Sequence, residues 1–123
     1  MAAPKLGKPI KNVIRGDNRR VGLTFFEIDG VTRINLAGGT VYFTVNMDED
    51  PSSDTAPNMK IQKVINSDFT DAANGRHIVT LNHTDTNIDP GDYWYDAQLV
   101  DSEGNYVSAY RGKFEVQSDT TRT

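Results

Sequence analysis

Few side chains in this sequence could do chemistry, and they are scattered. His77 and His83 share a parity along a strand-like run, so both could project from one face with Asp85 close behind. Two imidazoles and a carboxylate could form a weak metal site or an acid–base pair, but the third nitrogen ligand of a zinc site is missing. The simpler reading is a pair of ordinary surface histidines. Asp48, Glu49 and Asp50, with Asp54 beyond Ser52-Ser53, carry enough oxygens for a loop-bound Ca²⁺. They lack the alternating acids, central glycine and terminal glutamate of an EF-hand loop, so the tract reads as a solvated loop at a strand end. Arg15-Gly16-Asp17 spells an integrin-binding tripeptide and Asn82-His83-Thr84 a glycosylation sequon. With no secretion signal ahead of them, both are read as coincidence. The chain has no cysteine, which removes disulfides, thiolate metal sites and cysteine nucleophiles together. No serine sits in a nucleophile motif and no phosphate-binding loop is present. The expectation is a protein that is not an enzyme and uses no cofactor.

Charge is distributed unevenly over the 123 residues. Lys5, Lys8, Lys11, Arg15, Arg19 and Arg20 against Asp17 give +5 in residues 1–20. The whole chain carries −4, which leaves −9 for the remainder. An overall acidic chain is not expected to bind nucleic acid, and no apolar run is long enough for a membrane span. Pro4, Gly7 and Pro9 discourage regular structure, so residues 1–9 are expected to form a basic flexible arm, residues 10–118 the fold, and residues 119–123 a polar tail. Lys5, Lys8 and Lys11 on such an arm could meet the acidic tract Asp48-Glu49-Asp50 of a neighbouring copy.

The period of the apolar residues is two. In the run 40–47 Val41, Phe43, Val45 and Met47 fall on one face, as a half-buried strand requires. Residues 20–28 place Val21, Leu23 and Phe25 inward, then show Phe26 and Ile28 out of phase, which suggests a bulge or a second surface. Further strands are read at 10–15, 76–82, 92–100 and 106–116, the last two joined by a hairpin at Asp101–Asn105. Residues 59–65 fit either an irregular edge strand or one helical turn. With no convincing helix, the predicted fold is all-β, an immunoglobulin-like antiparallel β-sandwich of about seven strands.

Residues 89–95 carry the most specific local signal. Asp89, Gly91 and Tyr93 have the Asp-x-Gly-x-Tyr spacing with which immunoglobulin domains begin strand F, where the tyrosine hydroxyl bonds back to nearby backbone. Tyr95 stands where those domains carry a cysteine. A generic hairpin opened by Pro90-Gly91 would account for the same residues. Trp94, Tyr42, Tyr106 and Tyr110 are expected on faces opposite the core, as interface anchors or as platforms for weak glycan contact.

Taken in order, these features resemble the immunoglobulin-like N-terminal domain of bacteriophage baseplate upper proteins. The resemblance runs from Ile14-Arg15-Gly16-Asp17 through the strand at 20–28 and the Asp29-Gly30 turn to Asn35-Leu36-Ala37-Gly38-Gly39-Thr40 and Val41-x-Phe43-x-Val45. It continues with Thr84-Asp85-Thr86, Asp89-Pro90-Gly91-x-Tyr93-x-Tyr95-Asp96, Gln98-Leu99, Gly112-Lys113-Phe114-x-Val116 and Asp119-Thr120-Thr121. In baseplate upper proteins helical and receptor-organising regions follow this domain, whereas this sequence stops at Thr123. What the resemblance implies is the docking role of the domain: a multicopy adaptor in the tail or baseplate of a virion assembled in the bacterial cytoplasm, with other virion proteins and copies of itself as partners. A capsid or neck decoration that anchors fibres is the nearest alternative, and a carbohydrate-binding module the alternative of another class.

Overall fold

The computed structural model describes residues 5–27, 31–47 and 59–118. It is an all-β sandwich of one larger, mixed sheet and one two-stranded sheet. The strands are β1 (Lys5–Leu6), β2 (Ile10–Ile14), β3 (Arg19–Thr24), β4 (Thr40–Asn46), β5 (Met59–Ile65), β6 (Arg76–Leu81), β7 (Gly91–Val100) and β8 (Tyr106–Gln117), with one 3-10 turn at Ala72–Asn74. The larger sheet runs β1-β8-β7-β4-β5, with β2 also on β8, and the smaller sheet is β3-β6. Pairing is antiparallel except at one edge, where β1 and β2 both run parallel to β8. That exception departs from the all-antiparallel expectation. The opening segment lies on the last strand of the fold rather than beside β3.

The two-residue period positions the core. Val41, Phe43 and Val45 of β4 alternate with the polar face and are fully buried, as are Ala97 and Phe114 of the neighbouring strands. Val21 and Leu23 of β3 and Val79 and Leu81 of β6 close the core from the other sheet. Burying each such side chain contributes about 1.5–3 kcal/mol. In the absence of cysteine the two sheets are linked by rings. Phe114 meets Phe43 edge-on at 6.4 Å, Phe43 stacks on Tyr95 at 5.8 Å, Tyr95 meets Tyr110 at 6.1 Å, and Tyr110 meets Phe25, just past β3, at 5.6 Å. The tyrosine in the cysteine position thus continues the contact between sheets by packing.

Several sequence expectations are corrected. Residues 5–9 are not a free arm: Lys5 and Leu6 pair with Tyr110 and Arg111, the Gly7 amide donates to the Arg111 carbonyl, and the Tyr95 hydroxyl donates to the Lys8 carbonyl at 2.8 Å. Gly7 and Pro9 interrupt regular pairing without releasing the chain from β8. Residues 1–4 of that arm and the tail 119–123 lie outside the described residues. Met47 is 52% exposed rather than inward, because the β4 ladder shifts register after Val45 and the strand ends at Asn46. Of the two readings of residues 59–65, the edge strand is the one formed, as β5, whose Ile61 is buried while Val64 faces out at 53% exposure. Strand β3 stops before Phe25. Phe25 is fully buried, and Phe26 turns outward to bridge Arg33, whose guanidinium lies 5.6 Å from its ring centre.

Candidate interaction surface

The surface is built by the outward positions of the larger sheet. Cross-strand register sets Val64, Tyr42, Gln98 and Ala109 in one row, Gln62, Thr44, Asp96 and Arg111 in the next, and Asn46, Trp94 and Lys113 in a third. Tyr42 and Trp94 are half-buried among these neighbours, and the Lys113 ammonium lies 6.0 Å from the Trp94 ring centre. That distance is at the outer limit of a cation–π contact. Gln98 donates to the Asp96 carboxylate at 2.8 Å along the same strand. Thr44 and Asn46 are buried although their register places them in the same rows. The result is an amphipathic face in which aromatic rings are embedded among fixed polar groups, the composition that suits a protein contact.

The predicted aromatic set divides. Trp94 and Tyr42 share this face. Tyr106 pairs with Val100 past a register shift at the hairpin and is 59% exposed, next to the exposed Val107. Tyr110 does not belong with them, which corrects the expectation of an outward ring. It pairs with Ala97 and points inward with Gly112, Phe114 and Val116, as its even number already required. Burial, the nearby Tyr95 hydroxyl and, in the opposite direction, a hydrogen bond from the Thr24 backbone set its ionisation, with a net upward shift. Burial likewise pushes Tyr95 up to about 12. Both hydroxyls therefore stay protonated at neutral pH; Tyr95 donates to the Lys8 carbonyl and Tyr110 accepts from the Thr24 backbone.

The corner before β7 is held from within. Tyr93 is buried and its hydroxyl donates to the Asp89 carbonyl at 2.6 Å. Gly91 has φ +150°, a conformation closed to most L side chains, and a side chain there would meet nothing within 4 Å. The constraint on Gly91 is thus backbone conformation, not space. Burial does most to push the Tyr93 hydroxyl above the usual tyrosine range, the Asp89 charge adds to the shift, and Arg15 opposes it.

The remaining motifs are absorbed by turns. Arg15-Gly16-Asp17 forms the turn between β2 and β3, with Gly16 at φ +83° and the Asp17 carbonyl accepting the hydroxyl of the fully buried Thr86 at 2.6 Å. The Asn82 side chain accepts from the Thr84 and Asp85 amides at 3.0 Å, closing an Asx turn over the sequon. Asp85 accepts from the Asn82 amide and from Lys63, each at 2.9 Å. His77 accepts from the Thr70 amide through Nδ1 at 3.2 Å and packs edge-on against Phe69, and burial lowers its basicity. β6 ends at Leu81, so His83 lies in the following turn. Among the described residues no group of three or more His, Asp or Glu could hold a metal ion, and no helix is long and apolar enough to cross a membrane.

Of the charged candidates, Lys8 and Lys11 are exposed, and Lys5 lies in β1. Lys11 sits in a bulge of β2 beside Asn12, whose φ of +61° and side-chain bond from Gln117 at 2.8 Å return Val13 to the core. Asp48, Glu49 and Asp50 lie outside the described residues. Sequence reasoning missed Thr86, whose burial has no signal in its neighbours. It also missed the close packing of Gly7 and Gly112 around Tyr95.

No protein-family model matches this chain, and no curated protein matches it.

Proposed function

We propose that the chain is a non-enzymatic structural protein of a bacteriophage particle, a multicopy docking module of the tail or baseplate region. The observation that carries this reading is the ordered series of segments from Ile14 to Asp119-Thr120-Thr121 that resembles the N-terminal domain of baseplate upper proteins. The outer face of the larger sheet adds support of a different kind. It offers Trp94 and Tyr42 on a rigid sheet, with charged and amide groups around them, which is how a contact gains affinity from aromatic burial and register from polar pairing. The mechanism is passive: surface is buried at symmetric contacts, and charge selects the neighbour.

The test is the protein content of purified particles. Mass spectrometry should find the chain in stoichiometric multiples of a ring, and Trp94→Ala should incorporate less without loss of fold by circular dichroism. Particles lacking the chain would remove the virion reading. Undiminished incorporation of Trp94→Ala would remove the outer face from it.

A further inference from the structure

Because β1 and β2 lie on β8, the side of β3 away from β6 has no strand on it among the described residues. The Phe25 amide donates across to the Gly75 carbonyl on the β6 side. Alternation along the strand therefore turns the backbone groups of Gly22 and Thr24 toward the open side. The hydrogen bond between the Thr24 backbone and the Tyr110 hydroxyl lies on that side. Beside this edge runs a groove of about 760 Å³. Its walls include Ile10, Leu23 and Tyr110, and its charged lining is Lys8, Arg33 and Arg76, with no acid among the described residues.

Gly22 strengthens the case. It lies in mid-strand, a side chain on it would meet nothing within 4 Å, and its φ is not positive, so neither space nor conformation demands glycine. A glycine there weakens the strand by about 0.5–1 kcal/mol, and one common reason for such a glycine is the close approach of another backbone.

We propose that this edge is a strand-docking groove that takes the acidic β4–β5 connection, beginning at Met47-Asp48-Glu49-Asp50, from a second copy of the chain. Residues 47–58 contain Asp48, Glu49, Asp50 and Asp54 and no base, so they complement a lining of three cations and no acid. Met47, half-exposed where β4 ends, supplies an apolar anchor for the groove floor. β4, at whose end the donor segment begins, is separated in the sheet from the β8 side of the groove by β7. The contact therefore joins unlike surfaces of two copies, and repetition makes a ring or a filament. Main-chain bonds to Gly22 give the affinity and the cations give the register. The inference deepens the self-assembly part of the reading above, and its test in solution does not depend on any particle.

The test titrates a synthetic peptide of residues 45–54 into the isotopically labelled full chain and follows backbone amides by NMR. The expected result is saturable shifts at Gly22 and Thr24. Binding should weaken about tenfold on reversal of Arg33 or Arg76 to Glu, and on neutralisation of Asp48, Glu49 and Asp50 in the peptide. Gly22→Pro, which removes the edge donor at a place where proline is tolerated, should abolish the shifts. If that variant does not fold, the charge reversals and the neutral peptide carry the test. Absence of shifts up to millimolar peptide, or equal binding of the neutral peptide, overturns the proposal. Binding as described by a chain absent from particles would uphold this proposal and remove only the virion reading.

Discussion

Tyr95 is the ring on which the two sheets and the opening segment converge, and its surroundings predict a non-additive pair of substitutions. Its hydroxyl donates to the Lys8 carbonyl at 2.8 Å, so Tyr95→Phe should cost about 1 kcal/mol, the net worth of a hydrogen bond whose acceptor is left behind. A methyl at Gly7 would overlap the same hydroxyl and lie 2.7 Å from Cδ2 of Tyr110. The space around the ring is tight at Gly112 as well, where a side chain would lie 2.8 Å from Tyr95 Cε2 and 2.9 Å from the Gly7 carbonyl. Gly7→Ala should therefore cost about 1–3 kcal/mol as overpacking. In the double variant the clashing oxygen is gone, leaving the Tyr110 contact, so the combined loss should fall short of the sum by about 1 kcal/mol. Urea unfolding of the wild type, both single variants and the double variant measures the cycle through shifts in midpoint at constant slope. Strict additivity, or a Gly7→Ala variant as stable as the wild type, would refute the packing argument for this edge.

Three further outcomes follow from local geometry. Gly91→Ala should lose about 1–3 kcal/mol from backbone strain alone, whereas Tyr93→Phe should lose only about 1 kcal/mol at the same corner; thermal unfolding of both variants checks the order. The basicity of His77 is lowered by burial, so the unfolded chain binds the extra proton first: stability should fall as pH drops below about 6.5, and His77→Asn should flatten that slope. Tyr95 and Tyr110 are shifted upward, so the unfolded chain ionises first in alkali: stability should be intact below about pH 10 and fall as pH rises beyond it, with Tyr95→Phe reducing the slope in denaturant titrations.

The larger sheet was legible because its strands obey the simplest rule of β structure. Val41, Phe43 and Val45 alternate cleanly, as do Tyr93, Tyr95, Ala97 and Leu99, and all are buried. The period failed where a strand ended or bulged. Met47 kept the right parity but sits past the end of the β4 ladder, and Asn12 inserts a bulge that nothing in the apolar pattern marks. Tyr110 was expected outward with Trp94, Tyr42 and Tyr106, although it shares parity with Phe114; it turns inward, where the Thr24 backbone partners its hydroxyl. The edge on which the opening segment lies was not legible at all. Gly7 and Pro9 look like breakers in sequence, and only the packing of Tyr95 shows that they let the chain bend while remaining on β8. The candidate surface was half legible: Trp94 and Tyr42 share a face by register, but the burial of Thr44 and Asn46 beside them has no signal in the alternation.

The most direct test of the proposed virion role is antibody-gold labelling of intact phage particles purified from the source of this sequence, viewed by electron microscopy. The account predicts label at the tail end, in a pattern that repeats around the tail axis. Label confined to the head, or particles without label whose proteins contain none of this chain, would contradict it.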